Sequence, residues 1–582
     1  MRAIKLAVVP AVLAVAMAAS MPASAGVAGG VLVTNGSPTT PFSENKQNEP
    51  ALAVDANHPN ILAAGANEEI DMEACNAAAD NTCPFTDGIG VSGVYFSFDN
   101  GNTWTQPTYT GWSARNCQGA PGSTDPPCQP VVGPIGTLPW YYENHLASDG
   151  DPALAFGPRP DSNGHFSWSN GSRLYYANLT SNFAATRDEL AFKGFEAIAV
   201  SRTDDVAAAA AGDKNAWMPP VLVSKQSSTT FSDKEQVWAD NAASSPFFGN
   251  VYACWASFRS QERSPNANPA PLMEGTSTDG GNTWTVHQIT AAANNSQVNP
   301  ADGCTVRSDS HGNAYVFGVG TSSSGGHQAF ELMSVSTDGG KSWSSARPVV
   351  GPVTQPGVFD PAQGRPTIDG IAGARSDLAP APSVDIANGA PTGGDATNRM
   401  VMSYVSGEIT TPHVYFTEST DGGNTWSTPT AVESSGDRGY YAAPSISPNG
   451  TDVYIVYNAF TTPYQSNTSA PRLLVGVFLH ASVSGSTGAF SEVNRGASGD
   501  ARGSSANALS SEFLGDYVYA VATRGYGAAV FNDARNAGDC PAIDSWRFTN
   551  ATAPGTAGPK PAPEQDCPAN FGNSDIFSFT TG

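Results

Sequence analysis

The chain has 582 residues, 14% of them charged and 40% hydrophobic, with 60 Gly and 44 Pro. This composition can bury a large core and excludes wholesale disorder. A formal net charge of −24 repels phosphate backbones and anionic lipid surfaces, so nucleic acid is excluded as an expected partner.

Residues 1–25 read as a secretory signal: Arg2 and Lys5, an apolar run over 6–19, and Ala23-Ser24-Ala25 as a small-residue cleavage site. Removing Arg2 and Lys5 takes the charge from −24 to −26. No later stretch reaches the ~18 consecutive apolar residues of a spanning helix, so the mature chain, 26–582, is expected to be secreted, extracellular or periplasmic, without a membrane anchor. An oxidising destination makes the eight cysteines disulfide candidates. Spacing pairs Cys75 with Cys83, Cys117 with Cys128 and Cys540 with Cys567, each around a short turn-rich loop, and leaves Cys254 and Cys304 for each other. There is no Cys-x-x-Cys, and no His lies at ligand spacing, so zinc has no support.

An eight-residue pattern recurs four times: Ser97-Phe-Asp-Asn-Gly-Asn-Thr-Trp104, Ser277-Thr-Asp-Gly-Gly-Asn-Thr-Trp284, Ser336-Thr-Asp-Gly-Gly-Lys-Ser-Trp343 and Ser419-Thr-Asp-Gly-Gly-Asn-Thr-Trp426. Each copy follows an alternating apolar segment, and its Asp-x-Gly centre is hairpin chemistry. The carboxylates of Asp99, Asp279, Asp338 and Asp421 can accept turn hydrogen bonds, Gly permits positive φ, and Trp104, Trp284, Trp343 and Trp426 can bury a large face between sheets. A degraded copy is read at Ser201-Arg-Thr-Asp204, ending near Trp217.

The pattern resembles the Asp-box, or BNR, repeat of secreted sialidase-like β-propellers, and the resemblance implies an all-β fold. Seven inner-strand starts are read at Glu49-Pro-Ala-Leu-Ala-Val54, Asp151-Pro-Ala-Leu-Ala-Phe156, Gln236-Val-Trp-Ala-Asp240, Asp302-Gly-Cys-Thr-Val306, Arg365-Pro-Thr-Ile368, Ala443-Pro-Ser-Ile446 and Asp516-Tyr-Val-Tyr519. A single propeller of four-stranded antiparallel blades follows, with seven blades favoured and six the close alternative. Irregular insertions interrupt it near 115–139, 369–398 and 550–568. The middle one reads as a mobile surface loop, with a lid over the propeller mouth as the alternative.

In such a ring the polar residues that open the inner strands converge on a central channel. They are Glu49, Asp151, Glu235 or Asp240, Asp302, Arg365, Tyr440 or Tyr441, and Asp516. Converging carboxylates can supply the acid and base of glycosidic cleavage, which makes Glu49, Asp151, Asp302 and Asp516 catalytic candidates, and the resemblance to sialidases, which use a Tyr nucleophile, implies Tyr441 as the candidate nucleophile. The same oxygens suit Ca²⁺, structural or catalytic, although no cofactor is required. The Phe513-Leu-Gly-Asp-Tyr517 and Phe531-Asn-Asp-Ala-Arg535 segments also resemble secreted BNR-repeat proteins. Resemblance to sialidases further implies an arginine triad gripping a substrate carboxylate, for which Arg307, Arg365 and Arg524 are the candidates. The usual Arg-Ile-Pro segment is absent, and Asn48-Glu49-Pro50 stands in its place. The expected function is a secreted sialidase-like glycoside hydrolase, monomeric and acting on carbohydrate. A non-catalytic glycan- or protein-binding propeller and a lyase of acidic polysaccharide are the alternatives.

Overall fold

A computed structural model describes residues 29–35, 47–73, 86–117, 129–182, 196–224, 230–259, 270–292, 302–321, 328–360, 365–368, 374–504 and 513–582. Seven antiparallel sheets follow one another along the chain as the blades of a propeller. Blade 1 holds Gln47–Val54, Leu62–Glu68 and Ser92–Ser97, with Thr105 bridged to Phe96 at its outer edge. Blade 2 is built from Ala153–Pro160, Phe166–Asn182, Ala197–Thr203 and Trp217–Leu222. Blade 3 comprises Thr230–Ala239, Val251–Arg259, Leu272–Ser277 and Thr285–Gln288, and blade 4 comprises Asp302–Ser308, Ala314–Thr321, Ala329–Ser336 and Arg347–Val353. Ser383–Ile386, Met400–Glu408, Thr411–Ser419 and Thr430–Ala431 form blade 5. Blade 6 uses Arg438–Ile446, Asp452–Phe460, Leu473–Ser484 and Ser491–Arg495. In blade 7, Tyr519–Ala522, Gly527–Asp533 and Asp575–Thr580 are completed by the N-terminal strand Val31–Leu32, in register Val31 with Ser578. Segments near the two ends of the chain therefore share one sheet, which closes the ring.

The Asp boxes lie between third and fourth strands and act as turn locks. In the blade 3 box, Ser277 Oγ donates to Asp279 Oδ1 (2.8 Å) and accepts from Gly281 N (2.8 Å), while Thr283 N and Oγ1 donate to the two Asp279 oxygens. The boxes of Asp99, Asp338 and Asp421 repeat this arrangement. The hydrogen bonds hold the Asp338 and Asp421 carboxyls at about 2, led by Ser342 and Thr425. Their tryptophans reach back to the preceding blade. Trp104 Nε1 donates to Ser578 Oγ of blade 7 (2.9 Å), Trp343 Nε1 to Glu274 Oε2 of blade 3 (3.0 Å), and Trp426 lies edge-on to Phe317 of blade 4. Asp204, read as a degraded box, instead clamps Arg173 through both carboxylate oxygens.

Two expected disulfides are present. Cys254–Cys304 ties blade 3 to the inner strand of blade 4, and Cys540–Cys567 closes the loop carrying the helix Pro541–Thr552. Cys117 is disulfide-bonded, while Cys75, Cys83, Cys128 and the signal region 1–25 lie outside the described residues.

Blade 5 departs from the sequence reading. Its inner strand is Ser383–Ile386, inside the segment read as an insertion, whereas Arg365–Thr367 pairs with Val358–Asp360 in a separate two-stranded sheet. The four-residue strand is too short to announce itself by alternation, and Arg365-Pro366 imitates the acid-Pro starts of blades 1 and 2.

Candidate functional site

Inner strands begin irregularly, and the irregularity builds the site. Pairing slips between Asn48 and Ala51, Asp233 and Gln236, and Asp302 and Thr305, so each strand bulges just where it enters the sheet. At the bulge Glu49 (φ 53°), Lys234 (φ 59°) and Gly303 (φ 59°) adopt left-handed backbone, as does Asp151 (φ 51°) ahead of the blade 2 strand. Left-handed backbone costs a non-glycine residue roughly 1–2 kcal/mol. Three such residues in successive blades carry charged side chains, and all three meet at the axis.

Lys234 is the hub. Its Nζ lies 2.8 Å from Asp151 Oδ2, 2.9 Å from Asp516 Oδ2, 3.4 Å from Glu49 Oε1 and 3.7 Å from Asp233 Oδ1. Arg375 grips Asp516 through Nε (3.0 Å) and Nη2, and its Nη2 also lies 3.6 Å from Glu49. Tyr441 OH donates toward Asp516 Oδ1 and the Arg375 carbonyl, both at 3.0 Å. Glu49 is fixed further by Asn67 Nδ2 (2.7 Å) and accepts the Asp516 N–H (3.1 Å). Glu49, Asp151, Lys234, Asp516 and Tyr441 are all buried. A cavity of about 60 Å³ adjoins them, lined by Lys234, Glu235, Cys304, Tyr441, Asp516 and Tyr517 among others.

Burial and charge sort these carboxyls into two protonation states. Burial, then the neighbouring Asp151, pushes the Glu49 carboxyl well above the usual range, against the pull of Lys234. Burial also opposes the charge on Asp151, but Lys234 prevails and holds it at about 2. Asp516 behaves alike: burial is outweighed by Arg375 and Lys234, and its carboxyl falls well below the usual range. Burial raises Asp233 to about 8 and Asp302 to about 6, and it raises Glu235 strongly, with Asp151 adding to the last. Despite burial, the surrounding carboxylates raise the Lys234 ammonium above its ordinary value. At neutral pH, Asp151 and Asp516 are therefore ionised around a charged lysine, while Glu49 is driven toward its protonated form.

Glu49, Asp151, Asp516 and Tyr441 read from the sequence thus share one end of the axis, and Asp302 lies near enough to feel the charges of Lys234 and Asp516. The arginine trio is not assembled. Arg307 stacks on Trp238 toward the far ends of the inner strands, and Arg524 pairs with Asp395 in an exposed turn. Arg365 lies outside the blades because its strand belongs to the small separate sheet. Asp240 lies beyond the far end of its strand, bonded to Ser245. Sequence reading missed Lys234 and Arg375, the two cations of the cluster. Lys234 could have been found by aligning Asp233-Lys234 with Asn48-Glu49 and Gly150-Asp151 as successive left-handed positions at the inner-strand starts. Among the described residues no three Asp, Glu, His or Cys side chains are grouped to hold a metal ion. The Lys234 ammonium occupies the position between Glu49, Asp151 and Asp516 that a cation bound by those oxygens would take.

No family model and no curated protein matches this chain. Among solved structures, the chain is similar to a Hadza microbial sialidase at 12% identity, covering 72% of this chain and 65% of that one with a TM-score of 0.39. The intramolecular trans-sialidase of Ruminococcus gnavus, in complex with oseltamivir carboxylate, is 12% identical over 75% of this chain and 94% of its own (TM-score 0.39). A Dyadobacter fermentans protein of unknown function is 13% identical over 79% and 99% (TM-score 0.39). The chain spans 54% of the Trypanosoma rangeli sialidase in complex with the inhibitor DANA. These likenesses concern the propeller and carry nothing about its chemistry. No helix among the described residues is long and apolar enough to cross a membrane.

Proposed function

We propose that this chain is a secreted glycoside hydrolase that cleaves carbohydrate at the Lys234 end of its axis by acid–base chemistry. The observation that supports this reading is the opposed protonation of carboxyls within one cluster. Asp233 at about 8 keeps a proton at neutral pH and Asp302 at about 6 keeps one in mildly acidic solution, while Asp151 at about 2 and the still more acidic Asp516 remain ionised. Environments that push neighbouring carboxyls apart are how one site supplies both an acid and a base. Asp302 is the proton donor in this reading, and the ionised acids stabilise positive charge developing on the sugar. Arg375, whose side chain is 22% exposed beside Asp516, is the cation for an acidic substituent on the substrate.

The test is turnover by the secreted chain on sialosides and uronic-acid-containing glycans, repeated with Asp302→Asn and after chelation. Loss in the variant supports the assignment, retained activity after chelation removes Ca²⁺ from it, and an unsaturated product would assign a lyase instead. Absence of turnover across the panel would overturn it. One observation favours a second reading, a non-catalytic glycan-binding propeller. Glu49 and Asp151 are in hydrogen-bond contact, closer than the roughly 5–9.5 Å that separates paired glycosidase carboxyls. Saturable glycan binding without product would establish that reading.

A further inference from the structure

A second cavity lies on the axis toward the far ends of the inner strands. It measures about 320 Å³, against about 60 Å³ at the Lys234 cluster, and Tyr519 lines both. Its walls include Leu52, Val54, Phe156, Ile386, Ile446 and Val521. Apolar walls offer water few partners, so a space of this size bounded by them favours an apolar guest over a filling of ordered water. The volume is at the small end of ligand sites, which suits a body of one or two rings.

Polar groups enter this cavity in an unbalanced way. Arg307 lies with its guanidinium 4.7 Å from the Trp238 ring, and only 12% of its side chain is exposed. Its Nη1 donates to the Val306 carbonyl (2.8 Å) and more distantly to Gln236 (3.4 Å). Its Nε is buried without a hydrogen bond and meets Asp385 Oδ1 only in a long ion pair (3.6 Å), and no hydrogen bond of Nη2 is found among the described residues. Apart from Asp385 Oδ1, which faces Arg307 in that ion pair, the acceptors named at the cavity are engaged. Asp385 Oδ2 takes the Ile446 N–H (2.9 Å), Asp55 takes Asn57 N and Ser172 Oγ, and Asn241 Oδ1 takes Asn388 Nδ2. Arg524, at the same cavity, is committed to Asp395 and the carbonyls of Gly389 and Ala390. What remains unspent is donor capacity on a guanidinium, and a guanidinium prefers an anionic oxygen.

We infer that this cavity binds a small organic anion with a flat apolar body, its carboxylate or sulfonate on Arg307 and its ring among the inner-strand side chains. The site is separate from the acid cluster and does not depend on the chain being an enzyme. The probe is 2-naphthoate, titrated calorimetrically into the full secreted chain at pH 7.5, with near-ultraviolet circular dichroism confirming that each variant is folded. Saturable 1:1 binding is expected, weakened ~10-fold or more by Arg307→Gln. The uncharged 2-naphthalenemethanol should bind weaker by a similar factor. Val521→Trp, which fills the cavity from a partly exposed position, should abolish binding, and Val54→Phe serves the same purpose if that variant does not fold. Failure of 2-naphthoate to saturate, equal affinity for acid and alcohol, or binding unchanged by the filling variant would each overturn the inference.

Discussion

Replacing Lys234 by Met keeps the length of the side chain and removes the charge that Glu49, Asp151 and Asp516 share. Lys234 is 9% exposed, with two carboxylate oxygens at 2.8 and 2.9 Å. Deleting one partner of such a buried pair costs about 3–5 kcal/mol, because the other charges stay behind without compensation. The left-handed backbone of position 234 strains Met as much as Lys, so the difference reports on charge. In the wild type, Asp151 has a folded-state pKa of about 2, depressed below its unfolded value. It therefore contributes stability that is present above pH ~4 and lost as pH falls toward 2. In the variant, burial loses its main opponent and raises the Asp151 pKa against the remaining Glu49 hydrogen bond, so the penalty grows as pH rises above ~4 and fades below it. Urea denaturation at pH 7.5 and pH 4.5 measures both terms. The variant should lose about 3–5 kcal/mol at pH 7.5 and clearly less at pH 4.5. An equal loss at both pH values, or a loss under ~1 kcal/mol at pH 7.5, would refute the electrostatic reasoning.

Four further outcomes are expected. Removing both Cys254 and Cys304 frees a 50-residue separation and should cost ~4 kcal/mol on a chain-entropy estimate, read as a lower urea midpoint than wild type. Trp343→Phe removes the donor to Glu274 Oε2 (3.0 Å) and should cost about 1–3 kcal/mol at pH 7.5 in the same assay. Burial raises Glu274 to about 8, so the folded state keeps a proton that the unfolded chain releases above pH ~4.5. Stability should fall between pH ~4.5 and ~8, and Glu274→Gln should flatten that slope in thermal melts across the interval. On any glycan that is turned over, kcat/KM should decline as pH rises through about 6, where Asp302 loses its proton. Asp302→Asn should remove that limb and lower kcat by ~10²–10⁴.

Much of the ring was legible in the chain because its determinants are local. Each Asp box closes a turn within eight residues, and its Trp needs only a neighbouring sheet to pack against. The acids Glu49, Asp151, Asp302 and Asp516 were legible for a related reason: they mark the points where polar chain turns into an alternating strand. Blade 5 was not, since Ser383–Ile386 is recognisable as an inner strand only through its pairing with Met400–Glu408. Lys234 was hidden because a bulge, rather than regular alternation, directs it to the axis, and bulges are set by pairing with the next strand. Arg375 comes from the connection before blade 5, and only ring closure brings it to Asp516, 141 residues later. Tertiary closure therefore decides which cations quench the acids, and with them which carboxyls keep a proton.

Neutron diffraction from perdeuterated crystals at pH 7 would locate those protons directly. Nuclear density for a deuteron on Glu49, none on Asp151 or Asp516, and three deuterons on Lys234 Nζ is the result expected. A bare Glu49, or a Lys234 with only two deuterons, would contradict the division of charge that burial and Lys234 impose on Glu49, Asp151 and Asp516.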